Sequence, residues 1–97
     1  MPFLHIAWFR FNDDITPERI EEHLAACRGL VGHVPVLRNL QCGPNTSNRA
    51  GGFTHGIVVT LPDAASLPQY LEHPAHVPVA SALVADIAEL RVMDLSV

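Results

Sequence analysis

The fold of this chain is decided near its beginning by the run Phe3-Leu4-His5-Ile6-Ala7-Trp8-Phe9-Arg10-Phe11. The apolar composition of the run, and the turn residues Asn12-Asp13-Asp14 that follow it, predict a β-strand over residues 3–11. Successive side chains of a strand point to opposite faces. One face carries Phe3, His5, Ala7, Phe9 and Phe11, and the other carries Leu4, Ile6, Trp8 and Arg10. Both sets are mostly apolar, so both faces of this strand are expected to be covered.

A helix is predicted to follow this strand. Thr16 is a typical N-cap residue, and Pro17 suits the first position of a helix because its missing N–H has no intrahelical partner there. Apolar residues then recur at helical spacing at Ile20, Leu24, Cys27 and Val31, and these four are predicted to form one buried stripe. Gly32 is expected to end the helix, since glycine readily adopts the conformation that follows a helix C-terminus.

The remaining pattern predicts three further strands and a second helical region. The strands cover residues 36–42, 53–61 and 87–95, a loop covers residues 43–52, and the helical region runs from Asp63 to about Ala85. The resulting order, β-α-β-β-α-β, is that of a ferredoxin-like α+β fold. A single domain is expected over residues 1–97.

This order of elements provides helices for only one face of the sheet. The other face would then expose Leu4, Ile6 and Trp8 to water, which is a more apolar patch than monomeric proteins usually present. The composition points the same way, because 48% of the residues are hydrophobic and only 16% are charged. Two sheets packed face to face would bury the patch, so the chain is predicted to form a homodimeric α/β barrel.

A functional site is predicted at the segment Tyr70-Leu71-Glu72-His73-Pro74-Ala75-His76. Pro74 disfavours the helical conformation at the residue before it, so the helical region is expected to break there. Such a break can hold the phenol and imidazole side chains over a cavity. Three further histidines, His5, His23 and His55, lie in predicted elements that face the same place.

Composition excludes several classes of function. The formal net charge is -4 with only six Lys+Arg, which argues against a nucleic-acid partner. No apolar run is long enough to cross a membrane, and the N-terminal run lacks the features of a signal peptide. The two cysteines, Cys27 and Cys42, have no metal-binding or redox spacing. They are interpreted as reduced thiols, which predicts a cytoplasmic protein without a membrane partner.

Nearly the whole chain resembles the stress-responsive A/B barrel (Dabb) family. The similar segments occur in the same order along the chain: His5-Ile6, Val34-Pro35, Gly43-Pro44-Asn45, Phe53-Thr54-His55, the segment from Tyr70 to His76, and Met93-Asp94. The histidine-proline-alanine-histidine segment is the most specific of them. The resemblance implies a ferredoxin-like subunit and a homodimeric barrel, in agreement with the pattern of elements.

The resemblance also implies roles for individual residues. One plant member of the family closes a ring in a linear polyketide thioester by aldol condensation. Its working tyrosine and histidine would correspond to Tyr70 and His76, and two further pocket histidines to His5 and His55. A pocket tyrosine on its first helix corresponds to Cys27 in this chain, a smaller residue that reshapes the pocket and removes a phenol.

Elementary chemistry supports the same residues. Enolate chemistry needs a base that is neutral near pH 7, for which His76 is suited, and a donor to the developing oxyanion, for which Tyr70 is suited. His5 and His55 are expected to orient a substrate. The apolar wall of the pocket is predicted to consist of Phe3, Phe9, Ile57 and Leu83. A small hydrophobic molecule, such as a polyketide or an aromatic compound, is therefore the predicted ligand.

Other chemistries find less support. The chain contains no G-x-S-x-G motif and no glycine-rich phosphate loop. His73 and His76 have no third ligand at a suitable spacing for a transition metal. No cofactor is expected to be required. The family resemblance implies a weak site for Mg²⁺ or another cation at the backbone carbonyls of Val31, Val34 and Leu37, where the end of a helix leaves carbonyls without intrahelical partners.

Two alternatives to a cyclase or lyase stay open at this point. One is a cofactor-free isomerase or monooxygenase with the same barrel architecture, and the other is a stress-related scaffold or binding protein without catalysis. Whether the cavity is open or filled discriminates between a scaffold and the other functions. An open pocket at Tyr70 and His76 favours an enzyme or a binding protein, and a filled one favours a scaffold.

Overall fold

A computed structural model describes residues 1–97 and contains one antiparallel sheet covered by helices. The elements are β1 (Phe3–Phe11), α1 (Pro17–Arg28), β2 (Asn39–Pro44), β3 (His55–Leu61), α2 (Leu67–Leu71), α3 (His76–Ala85) and β4 (Ile87–Ser96), with a short 3-10 turn (Ala64–Ser66) before α2. The strand order is β2-β3-β1-β4, and all three neighbouring pairs are antiparallel. The predicted ferredoxin-like α+β fold is confirmed.

The hydrophobic core lies between one face of the sheet and the helices. Its largest fully buried side chains are Phe9, Leu61, Val34 and Val59. Burying a side chain of this size stabilises a fold by roughly 1.5–3 kcal/mol. Cys27, Tyr70 and Leu83 bring the helices into the same cluster. None of the helices is long and apolar enough to cross a membrane.

The connection from α1 to β2 differs from the prediction. α1 ends at Arg28, and the chain continues through successive turns in which Gly32 adopts φ 91°. These turns bury Leu30 and leave Val31 44% exposed, so the predicted buried position of Val31 is wrong. The reason is the early end of the helix, after which the 3.6-residue period no longer determines which side chains face the core.

The limits of β2 also differ from the prediction. The strand covers Asn39–Pro44 rather than residues 36–42, because its register against β3 pairs Leu40 with Val59 and Pro44 with His55. Strand β2 is at the edge of the sheet, where a proline without an N–H is tolerated. The first residues of the predicted loop therefore belong to the strand.

The second face of the sheet is not covered by helices. It carries Leu4, Ile6 and Trp8 of the central strand β1, which are only half-buried. On the neighbouring strand β4, the partners of Leu4 and Ile6 in the register are Leu95 and Met93, both exposed. This is the apolar sheet face that the sequence predicted.

A cluster of charged groups fixes the corner between α3 and β4. The Asp86 carboxylate accepts hydrogen bonds from His23 Nε2 at 2.6 Å and from Arg19 Nε at 3.0 Å. The His23 ring is 4% exposed and stacks on Phe11, with ring centroids 5.9 Å apart. The expectation that His23 faces the same place as Tyr70 and His76 is therefore wrong. The rotation of α1 directs His23 toward Asp86 instead.

The Asp86 cluster leads to a prediction about acid stability. The hydrogen bonds from His23 and Arg19 hold the pKa of the Asp86 carboxyl below its ordinary value of 3.8. Because the pKa is lowered in the folded state, ionised Asp86 stabilises the fold at pH values above the ordinary pKa. This stabilisation is lost as the pH falls through the lower pKa of the folded state. The loss of urea stability caused by Asp86→Asn is therefore expected to be largest near pH 7 and to shrink below pH 3.8.

The matched control for this experiment is Asp14→Asn. Asp14 is exposed and lies in the turn after β1, and it takes part in no ion pair. Its substitution is expected to leave the urea midpoint nearly unchanged at each pH. An Asp86→Asn effect that is the same at pH 7 and in acid would contradict the linkage.

Candidate functional site

A cavity of about 420 Å³ lies between the helix-covered face of the sheet and helices α2 and α3. His5, Ala7 and Phe9 of β1 form the middle of its sheet wall. Strand β3 contributes Ile57 and Val59, strand β4 contributes Leu90, Val92 and Asp94, and the helices contribute Cys27, Tyr70, Leu71, His76, Val79, Ala80, Leu83 and Val84. The wall is mostly apolar, with a few polar groups.

The break between α2 and α3 brings Tyr70 and His76 to this cavity. α2 ends at Leu71 and α3 begins at His76, with Pro74 between them. His73 fixes the turn, because its Nδ1 accepts a hydrogen bond from the Ala75 N–H at 3.0 Å and its carbonyl accepts one from the His76 N–H at 2.9 Å. The structure thus contains the helix break that Pro74 predicted.

Tyr70 is the buried donor of the site. Its side chain is 4% exposed, and burial raises the pKa of its hydroxyl well above the ordinary value of 10.0. The phenol therefore stays protonated at neutral pH. The Tyr70 hydroxyl forms no hydrogen bond within the protein. Since every fully buried polar side-chain atom does have a partner, this hydroxyl is not fully buried, and we place it at the cavity that Tyr70 lines.

His76 is a half-buried base beside this phenol. The centroids of the His76 and Tyr70 rings are 4.4 Å apart. His76 Nδ1 lies 2.9 Å from the Leu71 carbonyl oxygen. Because a carbonyl only accepts, Nδ1 carries the proton and Nε2 keeps its lone pair in the neutral ring. Burial lowers the pKa of His76 below its ordinary value of 6.5, which favours this neutral form.

His5 and Asp94 complete the polar end of the cavity. His5 Nδ1 lies 2.5 Å from Asp94 Oδ1, and the His5 ring contacts Tyr70 edge-on, with centroids 6.1 Å apart. The carboxylate fixes the orientation of the imidazole, as carboxylates commonly do for histidines in active sites. Asp94 was not among the site residues predicted from the sequence. Its proximity to His5 depends on the register between β1 and β4, which pairs the two residues. No local sequence pattern specifies that register.

Two residues that were predicted to share this cavity do not line it. His55 begins β3 directly opposite Phe9, but its ring stacks on Phe9 with centroids 6.1 Å apart and contacts Phe11 at 5.0 Å. It lines a separate, wider concavity instead of this cavity. Phe3 lies past the end of the cavity and is buried in the core. Sharing a face of the sheet with Phe9 and Ile57 did not suffice, because the His55 ring packs against Phe9 and Phe11 and because Phe3 lies beyond His5, the first cavity residue of β1.

The other predicted wall residues Phe9, Cys27, Ile57 and Leu83 do line the cavity. Cys27 lies near Tyr70, and burial raises the pKa of its thiol to about 11. At neutral pH it is therefore an uncharged thiol and a poor nucleophile. Its contribution to the site is shape and an apolar surface.

A second and wider concavity, of about 610 Å³, lies on the opposite face of the sheet. It is bordered by Trp8, Phe53 and the loop that carries Asn45 and Arg49. Although larger, it is an open groove, and its one imidazole, that of His55, has no phenol beside it. The smaller cavity is therefore the candidate site.

The structure offers little for a metal ion. It contains no group of three or more histidine, cysteine, aspartate or glutamate side chains that could hold one. Among the three carbonyls of the predicted Mg²⁺ site, that of Val34 already accepts a hydrogen bond from the Leu37 N–H at 3.0 Å. Only one lone pair of that oxygen is left for a cation. The site at Val31, Val34 and Leu37 stays a prediction.

Comparison with known proteins gives relatives of similar length. The chain is 28% identical over 95 residues to the stress-response A/B barrel domain-containing protein HS1 of Arabidopsis thaliana, covering 96% of this chain and 87% of that protein. It is 30% identical over 79 residues to olivetolic acid cyclase of Cannabis sativa, covering 79% of this chain and 78% of the cyclase.

Solved structures and family models agree with these relatives. A protein from Thermobifida fusca, described as a dimeric ferredoxin-like protein of unknown function, superposes with a TM-score of 0.88 at 27% identity and covers 100% of this chain and 92% of its own. The family model of the stress responsive A/B barrel domain matches residues 3–97. The chain belongs to the stress-responsive A/B barrel (Dabb) family.

Proposed function

We propose that this protein is a homodimer in which each subunit binds a small apolar carbonyl compound and performs acid–base chemistry on it. The reaction class would be that of a cyclase, a lyase or an isomerase. The observation that carries the proposal is the contact between Tyr70 and His76 in one apolar cavity, with ring centroids 4.4 Å apart. Burial raises the pKa of Tyr70, which keeps it a protonated donor, and lowers the pKa of His76, which keeps it a neutral base.

The chemistry follows from these two protonation states. His76 Nε2 takes a proton from the carbon next to the carbonyl, and the electron pair of the broken C–H bond forms the enolate. The Tyr70 hydroxyl donates a hydrogen bond to the enolate oxygen, where negative charge develops. In a cyclisation the enolate carbon then bonds to a second carbonyl carbon of the same molecule, and His76 returns its proton to the new alkoxide.

The relative of known activity supports this class of reaction. Olivetolic acid cyclase is named for a ring closure, and it shares 30% of its residues with this chain over the aligned region. The open cavity also favours a ligand over the scaffold alternative. A scaffold has no need of an apolar space of about 420 Å³, and unfilled space in a core is destabilising.

The homodimer is supported by the uncovered sheet face and by a structural neighbour. Leu4, Ile6 and Trp8 lie on the one face of the sheet that no helix covers. The Thermobifida fusca protein with the same fold is described as dimeric. Packing two such faces together would remove the apolar patch from water in each subunit.

A proton-exchange experiment tests the proposed chemistry without knowledge of the natural substrate. The probe is 4-butylacetophenone in D₂O, and the readout is the loss of its acetyl proton signal in NMR spectra. The protein is expected to accelerate the exchange above the buffer rate in a saturable manner. Saturable binding with no acceleration would contradict catalysis and favour the binding-protein alternative.

The exchange rate is expected to follow the protonation of His76. Since the pKa of His76 lies below 6.5, the neutral base persists below that pH, and the rate should fall only in more acidic solution. Since the pKa of Tyr70 lies above 10.0, no loss is expected on the alkaline side up to that pH. An acid limb with a midpoint above 6.5 would contradict the assignment of His76 as the base.

A further inference from the structure

We propose that this cavity selects neutral carbonyl compounds and rejects carboxylates of the same shape. The inference rests on the proposed function in one respect, namely that the cavity is the ligand site. It goes further by naming the charge of the substrate.

The first ground is the absence of cationic side chains from the wall. None of the 20 residues that line the cavity is lysine or arginine. The chain contains no lysine, and its six cationic residues are all arginines. Four of them form ion pairs with carboxylates of the protein: Arg10, Arg19, Arg28 and Arg91. Arg49 borders the groove on the opposite face of the sheet. Arg38 is exposed and is not part of the cavity wall.

The second ground is the charge that the wall does carry. Its one acidic residue is Asp94, whose Oδ1 lies 2.5 Å from His5 Nδ1. With a neutral His5 the wall has a net negative charge, and with a protonated His5 the pair is neutral overall. In neither case does it offer positive charge to an anion, and burying an unpaired carboxylate is costly.

The third ground is the direction of the hydrogen bonds. The Tyr70 hydroxyl is a donor, which suits a carbonyl oxygen. In the neutral His76 and His5 rings Nε2 is an acceptor, because Nδ1 donates to the Leu71 carbonyl and to Asp94, respectively. The Asp94 carboxylate is an acceptor as well. A bound carboxylate has two oxygens that only accept, so the second oxygen would face lone pairs. A ketone presents one such oxygen, and its α-carbon suits the base.

A matched pair of ligands tests the inference. The probes are 4-butylacetophenone and 4-butylbenzoate, which share their shape except that a methyl group replaces a charged oxygen. Dissociation constants are measured by calorimetry or NMR titration at pH 7.5 with the full chain. Because the unpaired charge loses solvation on entering the cavity, the ketone is expected to bind at least about tenfold more tightly.

A charged variant at the mouth of the cavity strengthens the test. Leu71 lines the cavity and is 38% exposed, so an arginine there can place its guanidinium at the mouth without entering the core. Leu71→Arg is expected to tighten binding of the benzoate about tenfold or more, and the neutral control Leu71→Gln is not. A benzoate affinity that Leu71→Arg leaves unchanged would overturn the electrostatic explanation.

The outcomes separate this inference from the proposed function. Binding of the ketone with weak or absent binding of the benzoate supports both. Equal affinity for the two ligands overturns the selectivity and leaves the cavity as a ligand site. Binding of neither ligand overturns the proposed function and the inference that rests on it.

Discussion

The substitution His76→Gln is expected to lower the protein-catalysed exchange of 4-butylacetophenone by about a hundredfold or more. Glutamine is close to histidine in size and can still donate to the Leu71 carbonyl, which accepts at 2.9 Å in the native protein. It provides no basic nitrogen, however, so the proton of the ligand has no acceptor of suitable strength. The measurement is the saturated exchange rate of the variant against that of the native protein.

The control for this prediction is His33→Gln. His33 is exposed and lies in the turns after α1, outside the cavity, so its replacement is expected to leave the exchange rate unchanged. Thermal unfolding of both variants shows whether the fold is kept. A folded His76→Gln protein with the native rate would rule out His76 as the base.

The substitution Ile6→Glu is expected to convert the proposed homodimer into a monomer at micromolar concentration. Ile6 lies in the centre of the uncovered sheet face, and its neighbours across the two adjoining strands are Val58 and Met93. Both of these neighbours are apolar, so a glutamate there would face no cation directly across either strand. Burying it between two sheets would cost several kcal/mol of dimer stability. Analytical ultracentrifugation of the native and substituted proteins measures the effect.

The matched control is Val77→Glu. Val77 is 46% exposed on α3, away from the sheet face, and its replacement adds the same charge. This variant is expected to remain a dimer. A native protein that is itself monomeric, or an Ile6→Glu protein that dimerises like the native one, would contradict packing through this face.

Much of the fold could be predicted because it depends on local patterns. The continuous apolar run of β1 predicted a strand with two covered faces, and Pro74 predicted the break that separates α2 from α3. Both signals act over a few residues. The second face of β1 is covered by nothing within the chain, so the same apolar run also gave the reason for expecting a partner subunit.

The parts of the site that could not be predicted depend on register and on the rotation of helices. The pairing of His5 with Asp94 requires the register of β1 against β4, which no local pattern specifies. The position of His23 in the helical repeat does not determine which neighbouring element it contacts. The packed structure shows that it contacts Asp86. His55 lies on the expected face of its strand, but its ring packs against Phe9 and Phe11 and does not line the cavity.

The most direct test of the account is a crystal structure of the protein with bound 4-butylacetophenone. The ligand is expected in the cavity between the sheet and α3, with its carbonyl oxygen within hydrogen-bond distance of the Tyr70 hydroxyl. Its acetyl carbon should then face His76 Nε2, and its butyl group should lie among apolar residues such as Leu83 and Val79. A ligand bound instead in the groove at Trp8 and Phe53, with this cavity empty, would contradict the proposal that the cavity at Tyr70 and His76 is the ligand site.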